Sequence, residues 1–455
     1  MTRPYEGPEL TAVQIDWNVV EEHFEEAQWL LYSFEGAHES PVRTLAQLAG
    51  YPEQRLLAHV DALVVTGAVG REQLLLAILT EADPAQPFQV ATAALAEALA
   101  GRFESWLPSL ARAPELRTAL STAARLGGGP AFDVWLREQL VRESGSEARA
   151  TWLELAAARG FAPPSLFALL QDPDPSVVAV AARAARYADA STHLLLIEWL
   201  LQHESAAVRA AAIPAGLAWG SARAWSECER VALNGSPSAG PMLALYAALG
   251  GAREHAQIME LLADNGQRAR ALFALGHSGN ASLVPCLLAS LDSSRAHEAK
   301  LAAQAISMIS GIDLLDDALA RAASSETPAA PFQDQESLEA LPPLEEDDLD
   351  AGLEPPPEEE LPMPHAEEIA RRFTSRRLDP RQRLLEGEPY TPSQVLHCLE
   401  HSALRRRHVY AEAYAIRTGG KIWIDTRTSS LSQRAQIAQA RALAPRVTRF
   451  VPSPW

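Results

Sequence analysis

LLQDPDPSVVAVAARAARYA, residues 169–188, is followed one period later by LLQHESAAVRAAAIPAGLA, residues 200–218. Both run from a leucine pair through a short polar stretch into an alanine-rich segment. Extending the register in both directions gives Leu79, Leu110, Leu140, Leu170, Leu201, Leu233, Leu262 and Leu291, spaced 31, 30, 30, 31, 32, 29 and 29 residues apart. The alanine-rich segment recurs as ARATWLELAA from Ala148, VVAVAARAA from Val177, VRAAAIPAG from Val208, ARALFALG from Ala269 and AKLAAQAI from Ala299. Alanine and leucine are strong helix formers that lose little side-chain entropy in a helix. Each unit therefore predicts helix, tight turn, helix. Asp172-Pro173 and Asp174-Pro175 supply the turn, since aspartate can cap the next helix and proline suits its first turn.

One helical pair cannot bury its apolar stripe alone, whereas stacked neighbours form a continuous core. The period lies at the short end of HEAT-like repeats. The expected fold is all-α: a HEAT-like helical-repeat solenoid, an acidic disordered linker, and a small α-rich C-terminal domain containing a short β segment. With 455 residues, 47% of them hydrophobic, the chain is long enough for such a core. No uninterrupted apolar run reaches the length of about 18 residues that suggests a membrane helix. The N-terminal MTRPYEGPELTAVQIDW lacks the basic-then-apolar order of a secretion signal. A soluble cytoplasmic protein without membrane insertion is the expectation. Cys228, Cys286 and Cys398 are odd in number and far apart, with no CxxC spacing, so they point to inert thiols rather than to a disulfide framework or zinc site.

Four regions follow from the register and from the charge. Residues 1–70 form a helical cap, in which WNVVEEHFEEAQWLLYSFEG places Val20, Phe24, Ala27, Leu30 and Leu31 at helical spacing, and two further helices flank Tyr51-Pro52. Residues 71–322 form the solenoid. Residues 323–362 form the linker: from Asp334 to Glu360 there are twelve Asp or Glu and no Lys or Arg, too few apolar groups to offset chain entropy. It is expected to be solvated, or to act as an acidic arm pairing with the basic domain or a basic partner. Residues 363–455 form a small basic domain, with sixteen Lys or Arg against eight Asp or Glu. AEEIARRFTSR reads as one helix, and TPSQVLHCLEHSALRRRHVYAEAYAIRT as another, opened by Thr391-Pro392 and closed before Gly419-Gly420. KIWIDTR alternates as a short strand would, and SSLSQRAQIAQARALAP returns to helix near Ser430 or Ser432.

Arg405, Arg406 and Arg407 are the densest positive cluster, with Trp423 close by in sequence, and these four are the candidate partner-binding residues, since Arg and Trp anchor many interfaces. A nucleic-acid surface is argued against by the net charge of −19 and by the lack of groove-reading motifs.

HCLEH, residues 397–401, fits the H-x-x-E-H pattern of zinc proteases. His397 and His401 would share a helix face with Glu400 as general base, but such a site needs a third protein ligand. The only downstream carboxylates are Glu412, some three turns along the same helix, and Asp425 in the expected strand. Ordinary polar positions on a helix, with Cys398 packed inward, is the favoured reading. Gly127-Gly128-Gly129 is a loop between repeats, since no Lys-Ser or Lys-Thr follows it. No G-x-S-x-G nucleophile setting is found. Neither catalytic residues, a cofactor site nor a metal site is expected.

HFEEAQWLL and RLLAHVDALVVTG near the N-terminus, the repeats, and RRLDPRQRLLEGEPYTPSQVLHCLEHSALRRRHVYAEAYAI followed by KIWIDTR and SSLSQRAQ together resemble an uncharacterised bacterial family of HEAT-repeat proteins. Its genes often lie beside those for type VI secretion spike components, including PAAR-like proteins. The resemblance implies a non-enzymatic adaptor that loads a spike or effector protein. Its alternative is an immunity or regulatory protein that binds one effector, and a metal-dependent hydrolase at HCLEH is the rival from another class. HEAT-like phycobilin lyases have comparable repeats, but no stretch of this sequence matches a pigment-site motif.

Overall fold

The computed structural model describes residues 15–142, 145–235, 239–320 and 355–443. Among these the chain is α-helical, with short 3-10 and π segments and one two-stranded hairpin, Leu384–Leu385 paired with Glu388–Pro389. From Pro87 onward, outer and inner helices alternate. The inner helices are Pro87–Leu99, Arg117–Gly127, Ser146–Ala158, Pro175–Ala184, Ala206–Ala218, Gly240–Leu249, Arg268–Gly276 and Ala296–Ser310. They begin 28 to 31 residues apart, except for an interval of 34 between Ala206 and Gly240.

The leucine register marks the ends of the outer helices. Leu79, Leu110, Leu140, Leu170, Leu201 and Leu291 are buried, while Leu233 and Leu262 are partly buried against the same core. Asp174 caps its inner helix by accepting from the Ser176 N–H, with Pro175 in the first turn. In the cap, Val20, Phe24, Ala27, Leu30 and Leu31 all face the core. Inner helices are buried almost all round: every residue from Leu243 to Leu249 and from Glu298 to Ser310 is buried. A helix buried on all sides must be covered on both faces.

The cover is the chain's own C-terminal unit. Its helix Leu404–Arg417, here the roof helix, packs against Ala206–Ala218 and Gly240–Leu249. Neighbouring inner helices otherwise pack mainly on one another, and the longer interval falls where the roof helix enters. The hairpin docks on the last repeats: Leu384 N–H donates to the Gly279 carbonyl at 2.8 Å, Glu386 N–H to Met308 at 2.8 Å and Gly387 N–H to Ile309 at 3.0 Å. Gly279 and Gly311 make this approach possible. Both have positive φ, and a Cβ on either would overlap the carbonyl oxygen of Leu384 or Glu386. Ala320 and Pro364 form an antiparallel bridge, which ties the end of the solenoid to the start of the C-terminal unit. The unit keeps a small core of its own, including Leu396, Cys398, Tyr410, Tyr414 and Ile437. Its other face, with Leu384, Leu404, Val409 and Ala413, belongs to the solenoid core.

Two local expectations are corrected. The stretch from Thr391 to Thr418 is two helices, Pro392–His401 and Leu404–Arg417, because Ser402 and Ala403 are extended. The N–H groups of Leu404 and Arg405 donate instead to the Arg43 and Ser40 carbonyls of the cap. KIWIDTR makes no strand; the paired β segment is at 384–389. Its alternation is nevertheless real, as Ile422 and Ile424 are buried while Trp423 and Asp425 are half-buried. Alternation fixes the two faces, and a strand needs a partner edge as well. Of the linker expected at 323–362, residues 323–354 lie outside the described residues; 355–362 is ordered, with a 3-10 turn at Pro357–Glu360 that buries Glu358. Among the described residues no single helix is long and apolar enough to cross a membrane.

Candidate functional site

Arg405, His408, Val409 and Glu412, at helical spacing, point from the roof helix toward the inner helices, and Trp423–Arg427 runs beside them. Between roof and solenoid lies a cavity of about 660 Å³. Its floor carries Arg125, Glu154, Arg183, Arg186 and Tyr187, with Arg270 and Phe273 from a later repeat. Arg125 and Arg183 sit in the last turns of their inner helices, where a cation complements the negative helix end.

Most of the charge is paired across the rim. Arg183 binds Glu154, Arg125 lies 3.5 Å from Asp425, Arg427 2.7 Å from Glu39, and Arg405 3.1 Å from Glu358. Two of these pairs tie the C-terminal unit down, Arg125 with Asp425 to the solenoid and Arg427 with Glu39 to the cap. The described end of the acidic stretch docks too: Glu358 meets His297 at 3.3 Å, Glu359 meets Lys300 at 2.7 Å, and Glu360 accepts from Ser40. His408 bonds to Thr426 Oγ1 and the His38 carbonyl, and burial together with Arg427 lowers its pKa to about 4.

Three groups around this cavity are not matched in that way among the described residues. Arg186 lies 4.9 Å over the Trp423 ring, with its Nε donating to the Arg183 carbonyl, and has no carboxylate within ion-pair distance. The indole N–H of Trp423 is buried without an acceptor. Glu412 has neither hydrogen-bond nor ion-pair partner, and burial raises its pKa above the ordinary carboxylate value while Arg186 opposes the shift.

The four candidate partner-binding residues are engaged within the described chain. Arg407 is fully buried and donates to the Leu399 carbonyl at 2.6 Å and to Gln433 Oε1 at 2.7 Å; burial lowers its pKa to about 10. Arg406, 8% exposed, reaches Glu386 at 3.1 Å and Ser307 Oγ at 3.2 Å. Arg405 stacks 4.5 Å over Phe273, and Trp423 walls the cavity. Three consecutive arginines on a helix packed on several sides point in different directions, and each finds acceptors within the fold. Sequence reasoning passed over Arg125, Arg183, Arg186 and Tyr187. The available signal was the placement of arginines near the ends of alanine-rich helices.

At HCLEH the His397 and His401 rings lie 4.5 Å apart on one face, and Cys398 packs inward. Glu400 is held by Arg441, which keeps its carboxyl below the usual range. Asp425 is committed to Arg125 and Glu412 faces the cavity. Among the described residues no group of three or more His, Cys, Asp or Glu side chains is placed to hold a metal ion.

No protein-family model matches the chain, and no curated protein matches it.

Proposed function

We propose that this protein is a non-enzymatic protein-interaction scaffold whose partners dock on the outer helices of its repeats, and that it serves as an adaptor in type VI secretion, loading a spike or effector protein. The observation that carries the scaffold reading is a set of exposed apolar side chains on three successive outer helices. Val134 and Val141 lie on Pro130–Arg142, Phe167 on Leu166–Leu169, and Leu195 and Trp199 on Ala190–Leu200. Leu195 is 81% and Trp199 55% exposed, one turn apart on the same face. Apolar surface left in water over several neighbouring elements marks an interaction site, and tryptophan is a favoured anchor. The inner face, where a solenoid often takes its partner, is covered by the chain's own C-terminal unit. The secretion setting rests on the sequence resemblance alone.

The test is to purify the tagged full-length protein from cells expressing type VI secretion genes, beside the double variant Leu195→Glu, Trp199→Ala. Spike or effector proteins are expected to co-purify with the wild type and to fall by about tenfold or more with the variant. Recovery of none of them, or equal recovery with both forms, contradicts the proposal.

A further inference from the structure

The cavity beneath the roof helix has the dimensions and the unsatisfied chemistry of a small-molecule site. Its volume of about 660 Å³ falls within the range of about 300–1,000 Å³ typical of such pockets. Six arginines and five carboxylates line it, and four of the carboxylates are each paired with one of those arginines. Among the described residues the fifth, Glu412, is an acceptor with no donor, and Trp423 offers a buried N–H with no acceptor. Arg186, stacked on that indole, has no carboxylate of its own there. A purely cationic ligand would satisfy Glu412 but meet Arg186 unfavourably, and a purely anionic one would leave Glu412 unmatched. Both deficits are met at once by a molecule with a donor cation at one end and an acceptor anion at the other. Tyr187, Phe273 and Trp423 provide aromatic walls for its body.

We propose that this cavity binds a small zwitterionic molecule with an aromatic body, its amine held by Glu412 and its acid group by Arg186 and the indole N–H of Trp423. The site lies on the face opposite the outer helices, so it does not rest on the scaffold reading. Glu412 makes no bond to the rest of the described chain, so its carboxylate is available to a ligand at no cost in internal contacts. An ammonium group beside it favours the charged carboxylate and so offsets the rise that burial causes.

Three probes share one ring and differ only in charge: phenylalanine, phenethylamine and 3-phenylpropionate. Each is titrated into the full-length protein by calorimetry and followed by saturation-transfer NMR. Phenylalanine is expected to bind about tenfold or more tightly than either of the others, because each of them lacks one charge-assisted contact. Glu412→Gln is expected to reduce phenylalanine to the level of 3-phenylpropionate without lowering the melting temperature, since among the described residues the wild-type side chain has no hydrogen-bond or ion-pair partner to lose. The proposal is overturned if none of the probes binds at millimolar concentration, as expected of a merely water-filled cavity. It is also overturned if 3-phenylpropionate binds as well as phenylalanine, or if a folded Glu412→Gln variant keeps wild-type affinity.

Discussion

Gly311→Ala, compared with Gly101→Ala, isolates the docking of the hairpin on the solenoid. Both glycines are left-handed, with φ of +69° and +72°, so alanine at either costs about 1–2 kcal/mol of backbone strain. At Gly101 nothing lies within 4 Å of the added methyl group, and strain is the whole effect. At Gly311 the methyl group overlaps the Glu386 carbonyl and also crowds Arg376. The hairpin must withdraw, stretching the bonds from Glu386 N–H to Met308 and from Gly387 N–H to Ile309, each worth about 0.5–1.5 kcal/mol net. The expected losses are therefore about 2–5 kcal/mol at Gly311 and about 1–2 kcal/mol at Gly101. Urea midpoints read the difference, and hydrogen exchange of residues 404–417 shows whether the roof helix loosens with the hairpin. Equal midpoints for the two variants, with unchanged exchange in the roof helix, would refute the reasoning.

Acid should destabilise the fold through its buried neutral histidines. Burial lowers His255 to about 4 and His277 to about 3; because these values lie below the ordinary 6.5, the unfolded chain takes up protons first. The stability they contribute is complete above pH 6.5 and is lost as pH falls toward the folded values. At about pH 5 the loss is about 2 kcal/mol for each, and an unchanged urea midpoint between pH 7.5 and pH 5 would count against it. Arg407→Met retains apolar volume but leaves the Leu399 carbonyl and Gln433 Oε1 without their donor; a loss of about 1–3 kcal/mol is expected, with faster exchange in residues 392–443, and a gain in stability would contradict it. His397→Ala is expected to change stability by no more than about 0.5 kcal/mol and to leave elemental analysis unaltered. Stoichiometric zinc that disappears with the substitution would revive the hydrolase reading.

The solenoid was legible because its determinants are local. Leu170 and Leu201 close equivalent helices, Asp174 caps the helix it precedes, and Thr391 caps another by accepting from the Gln394 N–H. The cavity was not legible, because its contacts join residues hundreds of positions apart, such as Arg427 with Glu39 and Arg125 with Asp425. In one dimension Arg405, Arg406 and Arg407 read as a positive cluster fit for a partner, since the sequence does not reveal the carboxylates, carbonyls and ring that take them up. KIWIDTR shows the same division: its alternation predicted which side chains are buried, while the absence of a neighbouring edge, a tertiary fact, decided that it is not a strand. Glu412 was weighed only against the HCLEH histidines. The break at Ser402-Ala403, which turns the roof helix toward the solenoid, is what gives it another role.

The C-terminal unit covers the inner face of the repeats as part of one folded body. A protease recognition sequence inserted between Gln335 and Glu346 of the full-length protein allows the chain to be cut after folding, and size-exclusion chromatography then reports whether the two pieces separate. Docking through the hairpin, the roof helix and the pairs Arg125–Asp425 and Arg427–Glu39 predicts a single co-eluting species that keeps the uncut protein's melting temperature. Elution of the C-terminal piece as a separate fragment would contradict the account.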